Sequence, residues 1–272
     1  MSKEIFQLKP SIYGIGIDLR ALYARWNMLR GGAPSDGGEV ATVASRFLRM
    51  FAEHGVPPAS IPRLLQNLRY EHLRDEHSLL SALTPEILDH AANLFGVRVA
   101  WLTGTDDVIY ELDYSYKSPS RLCEKLSQLK RDTYNLPLRA ITTSKHLDRH
   151  ASHVQRLELV AVEPAATIDE TIIYRFHPFA DGWEWRYEEC RIQLKAMVRA
   201  LGRPVPLYQV TEADVDLAHR GEIFYRSALR GALVTEPSLE DYAMTTAENV
   251  HAKEVDEMHR VRIYMRNHGL KR

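Results

Sequence analysis

Cysteine is nearly missing from this chain of 272 residues: Cys123 and Cys190 are the only two, and they stand in separate segments rather than in a C-x-x-C pair. A disulfide framework is therefore not expected, and a reducing cytoplasm is the default compartment. No apolar run approaches the roughly 18 residues that would point to a membrane span. The opening MSKEIFQLKPSIYG has no long apolar core behind its lysine, so a secretory signal is not expected either. An excess of charge is also lacking, with 35 Lys+Arg against 36 Asp+Glu. The molecule as a whole then has no pull on nucleic acid or anionic lipid, and any such binding must come from a local patch. Internal repeats and low-complexity tracts are absent.

What is present is a hydrophobic share of 45%, enough for a proper core at this length and for two domains. Residues 11–30 read as a helix from about Asp18, with Leu19, Leu22, Tyr23 and Trp26 on one face. The stretch RGGAPSDGGE at 30–39 carries four glycines and a proline, the composition of a flexible connector. Residues 1–39 are thus expected to be a helical arm and linker.

Residues 40–106 read as all-helical. Val43, Phe47, Met50 and Phe51 recur at helical spacing, and Gly55 stops that helix. In PPASIPRLLQ, Ser60 is placed to cap a second helix, with Pro62 in the first turn, where a missing N–H does little harm. In LTPEILDHAANLFGVRVAWLTG (83–104), Thr84 is the expected cap and Pro85 the first helical residue, with Glu86 at the positive end of the dipole. Ile87, Leu88, Ala91, Leu94 and Phe95 form its buried face, and Gly96 stands where a left-handed residue is wanted. Trp101 and Leu102 then pack back; a tryptophan there is expected to be a core plug rather than a ligand platform.

Beyond Asp107 the pattern becomes mixed α/β over 117–235. A helix is expected at 119–131. A strand at 154–164 is paired in a hairpin with 167–178, followed by a helix at 184–201 and a short strand in PVPLYQV. TEADVDLAHRG opens with a Thr211-to-Asp214 capping box. The segment 237–272 reads as a helix from Ser238 to about His268 with a basic tail. Its stripe of Ala243, Ala247, Val250, Glu254, Met258, Val261 and Met265 suits either a partner helix or its own α/β unit. The fold class expected is α+β: an N-terminal all-helical domain, a mixed α/β domain and a long C-terminal helix.

Within the helical domain, Leu88, Ala92, Phe95, Gly96, Val97, Trp101 and Leu102 match a line that closes the Cro/C1-type (XRE-like) helix-turn-helix domain, Leu-x-x-x-Ala-x-x-Leu-Gly-Val-x-x-x-Trp-Leu. Residues 40–104 resemble that family. FLRMFAEHGV (47–56) is similar to its first helix, PPASIPRLLQ to its second, and NLRYEHL (67–73) falls where its recognition helix belongs. The chain departs from the family at Pro58 and Pro62, which replace the usual Gln and Ala, and in a connection to Thr84 about three residues longer. The resemblance implies sequence-specific binding of double-stranded DNA by a bacterial-type transcription regulator, normally a homodimer. Arg69 would then reach a guanine and Asn67 an adenine edge. Tyr70 and Arg74 would touch bases or backbone, and Arg63 would be a phosphate contact. Six arginines and no lysine face six acids in 40–104, so a strongly basic face is not expected. The alternative is a protein-interaction module, antitoxin-like or a phage-derived adaptor, using the same fold without base readout.

The remaining candidates are weaker. His146, His150 and His153 in KHLDRHASH would need a helix to bring His146 and His150 to one face, and basic neighbours oppose a cation; no metal is expected. YRFHPFADGWEWRYEECR (174–191) is dense in rings around His177 and Asp181, and core packing is favoured over a ligand pocket. An enzyme built around His177, Asp181 and the histidine cluster is the third reading. No nucleophile elbow or phosphate loop occurs, and GIGID at 14–18 lacks a third glycine and a preceding strand. No catalytic residue and no cofactor is expected. The last helix is the candidate for dimerisation, and the α/β domain the candidate for sensing a small-molecule or protein effector.

Overall fold

The computed structural model describes residues 42–116, 118–129, 138–235, 238–244 and 252–270. The N-terminal arm and linker expected over 1–39, and Ala247 and Val250 of the C-terminal stripe, lie outside them. The described chain is α+β, helical units flanking a five-stranded mixed sheet.

Helix α1 (Val43–Glu53) begins at Thr42, whose hydroxyl accepts from the Ser45 N–H. Its Phe47, Met50 and Phe51 are fully buried, as their spacing predicts. A 3-10 turn at Pro58–Ser60 leads into α2 (Ile61–Leu64), a single turn. A second 3-10 turn, Tyr70–Leu73, precedes α3 (Glu76–Ala82), which is capped by Asp75. Helix α4 (Pro85–Phe95) starts on the Thr84 hydroxyl and ends at Gly96 with φ +74°. Helix α5 (Val99–Thr103) brings Trp101 into the core, edge-on to Phe224 at 5.3 Å and beneath the Arg46 guanidinium.

Helix α6 (Pro119–Gln128) precedes the sheet, whose order is β3-β2-β1-β4-β5. The strands are β1 (Leu138–Thr142), β2 (Arg156–Ile168), β3 (Thr171–Glu184), β4 (Leu207–Gln209) and β5 (Leu233–Val234). Only β1 and β4 run parallel, with Ile141 opposite Tyr208. Between and after the strands come α7 (Glu188–Leu201), α8 (Glu212–His219), α9 (Tyr225–Gly231), α10 (Leu239–Met244) and α11 (Ala252–Asn267).

Successive residues of a strand face opposite sides, and here both sides are covered. Val160 and Val162 join the core shared with α1, α4, α5 and Phe224. Leu159 and Ala161 join the other, with Leu122, Leu194, Met197 and Trp183. Burial on both faces explains why β2 reads as a nearly unbroken apolar run, LELVAV. The helical unit and the sheet therefore share one of the two main cores.

The hairpin is longer than its sequence predicts. Strand β2 continues to Ile168, opposite Thr171, so the turn is the two residues Asp169 and Glu170 rather than a break near 165. Both have positive φ, 44° and 66°, as a two-residue hairpin turn that follows the strand twist requires. Asp tolerates that conformation, and the alternation of ATI and TII on either side of Asp-Glu was the signal available.

The capping box expected at Thr211–Asp214 is formed, and Ser238 and Asp241 form another at the start of α10. Met258 and Val261 of α11 bury against Ile192 and Ala196 of α7, with Met265 packed beside them, so this apolar stripe is used within the chain. Glu257 secures the same contact. Its carboxylate accepts from Arg191 Nε and Nη2 at 3.1 and 2.9 Å and pairs with Lys195 Nζ at 2.7 Å. Burial would push this carboxyl up, but Arg191 and Lys195 outweigh it and hold it down to about 2.

Candidate nucleic-acid interface

Leu65, Leu68 and Leu73 are buried in the helical core, and they anchor the segment that carries the predicted contacts. They stand at i, i+3 and i+8, a spacing that one face of a continuous helix would also bury. The chain instead leaves α2 at Leu65, turns through Gln66 and Asn67, and is extended at Arg69. The helix expected over 67–73 is consequently a single 3-10 turn, Tyr70–Leu73. This corrects the sequence reading: a multi-turn recognition helix is not formed there.

All five predicted contact residues are exposed. Arg63, in the last turn of α2, donates through both terminal nitrogens to Asp169 at the hairpin tip, Nη2 to Oδ1 at 2.8 Å. This bond holds the Asp169 carboxyl below the usual range and raises Arg63. Tyr70 lies close enough to bear on the Arg63 charge. Asn67 is in the turn, and Arg69 is 77% exposed beside Glu71 at 3.5 Å. Arg74 turns away toward α3, donating from Nε to Asp75 at 3.0 Å and from Nη2 to Ser78. The Ser78 N–H and hydroxyl, together with Arg74, hold Asp75 down to about 2. The surface is therefore a mixed one, each arginine having an acid at its side. Tyr70 and Leu80 add exposed apolar area.

The other candidates have structural partners. His146, His150 and His153 lie in an irregular segment rather than on a helix, and no group of three metal-ligating side chains occurs among the described residues. Asp181 accepts from the backbone N–H of Ser115 and Tyr116, from the Ser115 hydroxyl and from Trp183 Nε1. His177 is bonded to Glu163 at 3.0 Å. The rings around them divide between the two cores, Phe176 in one and Phe179, Trp183 and Trp185 in the other.

Two polar pairs, each with a buried member, were missed by the sequence reading. His54 meets Tyr110 across 56 positions, and Glu158 accepts or shares a proton with His219 Nδ1 at 2.9 Å. Burial pushes the Glu158 carboxyl up to about 8. Nothing local marks either pair, because each partner comes from a distant element. No helix among the described residues is long and apolar enough to cross a membrane. Comparison with family models, with curated proteins and with solved structures finds no match for this chain.

Proposed function

We propose that the protein is a sequence-specific DNA-binding transcription regulator, acting as a homodimer in the cytoplasm, with the sheet-containing unit as its sensing or oligomerisation part. The observation that carries this reading is the arrangement of 63–74. Three buried leucines fix the backbone, and Arg63, Asn67, Arg69, Tyr70 and Arg74 all project to solvent from it. Those side chains supply the donors that guanine and adenine edges and phosphates accept. The capped α4, Gly96 and the Trp101 plug behind them support the helix-turn-helix resemblance. Binding rather than catalysis is favoured because Asp181 and His177 are committed to structural bonds.

Selection from a pool of random duplexes tests it. Wild type is expected to enrich a subset, and Arg69→Ala/Arg74→Ala to lose that enrichment, at about 1–3 kcal/mol for each base contact removed. Equal recovery of all duplexes by both proteins would refute base readout.

A second reading is favoured by one observation. Asp75 and Glu76 occupy the N-terminus of α3, where a phosphate would otherwise be welcome, and Tyr70 and Leu80 are exposed nearby. Those features suit a protein partner, the adaptor alternative. Enrichment of no duplex would favour it.

A further inference from the structure

The β2–β3 hairpin reaches well past the sheet: β2 and β3 have 13 and 14 residues, against 5 in β1 and 3 in β4. Its far half does not project freely. Ile173 and Phe176 are buried in the core shared with the helical unit, and Ala166, Ile168 and Tyr174 pack against it. The tip is thereby delivered to α2, where Asp169 takes both terminal nitrogens of Arg63.

Two features of that tip go beyond what a turn needs. A two-residue turn with both residues at positive φ is built most easily from Asn and Gly, yet this one holds Asp169 and Glu170. It thus places two negative charges, one of them a carboxylate in the forked geometry in which an arginine also grips a phosphate. The pair is also open to water, Arg63 being 49% and Asp169 72% exposed. An exposed ion pair adds little to stability, so it is a contact that another anion can displace.

From these we infer that the acidic hairpin tip is an intramolecular competitor for the DNA backbone: Asp169 occupies the phosphate-binding fork of Arg63, and Glu170 beside it repels the strand. This inference rests on the DNA-binding reading and specifies how that surface is restrained. In the latched state Arg63 contributes no phosphate contact. When a phosphate takes the fork, Arg63 exchanges one anion for another, and the tip's two charges oppose the approach of the backbone.

The test compares wild type, Asp169→Asn/Glu170→Asn, Arg63→Gln and the triple variant, titrated against a fluorescein-labelled pool of mixed-sequence duplexes over a range of salt. Asn is at home at positive φ, so the tip variant keeps the turn, and its thermal midpoint is expected to hold or rise. The tip variant is expected to bind at least threefold tighter than wild type. Its plot of log affinity against log salt should steepen by about one, the increment for one added phosphate contact. Arg63→Gln should abolish that gain in the tip variant.

Wild-type binding that the tip substitutions leave unchanged would overturn the latch and leave the DNA-binding reading standing. So would an Arg63→Gln loss of the same size with and without the acidic tip. A fall of several degrees in thermal midpoint with unaltered affinity would make Asp169 a structural staple only. Failure of all four proteins to bind any duplex would overturn both ideas together.

Discussion

His54 lies fully buried among Phe95, Phe176, Phe224 and Tyr110, with ring centroids 4.3 to 6.3 Å away. The Met50 carbonyl at 2.7 Å can only accept, so Nδ1 carries the proton and Nε2 accepts from the Tyr110 hydroxyl at 3.1 Å. Burial lowers this histidine to about 4 from an ordinary 6.5, and the nearby Arg226 charge acts in the same direction. A group depressed in the folded state stabilises it above the unfolded pKa, and that stability disappears as pH falls through the folded one. The window here is pH 6.5 down to about 4, and the span corresponds to roughly 3 kcal/mol. Urea unfolding across that range should therefore show stability falling with acid, and His54→Phe should flatten the fall. An unchanged slope in the variant would mean that other groups govern the acid limb.

At the scale of elements, the join between α4 and α5 shows a residue choice set by two demands at once. Gly96 has φ +74°, and a Cβ there would lie 2.7 Å from Arg175 Cγ and 3.3 Å from the Phe176 carbonyl. The first contact is with a flexible side chain that can shift; the second is with β3 backbone, which cannot easily do so. Gly96→Ala is accordingly expected to cost at least about 1 kcal/mol, read as a lower midpoint in chemical denaturation. An unchanged midpoint would show that neither the left-handed backbone nor the nearness of β3 restricts this position.

The same elements show what the sequence could disclose. Thr84, Pro85, Gly96 and Trp101 were legible because caps, terminators and plugs act within a turn or two of chain. The helix at 43–53 was legible from periodicity, and so was the one expected at 184–201 except for its start, since Glu184 closes β3 and the helix begins at Glu188. The recognition helix was misread because Leu65, Leu68 and Leu73 keep a spacing that suits a helix, whereas the chain turns at Gln66 and Asn67 and is extended at Arg69. The hairpin turn was misplaced because Pro164 looked like an end, whereas the strand continues through a register shift between Pro164 and Ala166. Strand β1 passed unnoticed: five residues of LRAIT are legible only beside β2 and β4. Of the candidate site, the five exposed side chains were identified from the resemblance, but Asp169, 106 positions from Arg63, could be placed there only by the fold.

For the whole molecule, balanced charge and a shared core together shape the proposed function. The chain has no global attraction to DNA, and each arginine of the surface at 63–74 is next to an acid, so affinity must be local and modest until those acids are displaced. The hairpin joins the core of that surface through Ile173 and Phe176, and α9 is joined to α1 in the same core, with the Ser227 hydroxyl bonded to Glu53. A ligand or partner on the sheet-containing unit would reach the proposed interface through these packed contacts rather than through a free linker. The most direct test is to add a mixed-sequence duplex to isotopically labelled protein and follow backbone amide NMR signals residue by residue. Shifts are expected to concentrate in residues 63–81 and at the Asp169–Glu170 tip, fading as salt is raised. Signals that stay fixed throughout 63–81, or that move only on the sheet-containing unit away from the tip, would contradict the DNA-binding reading.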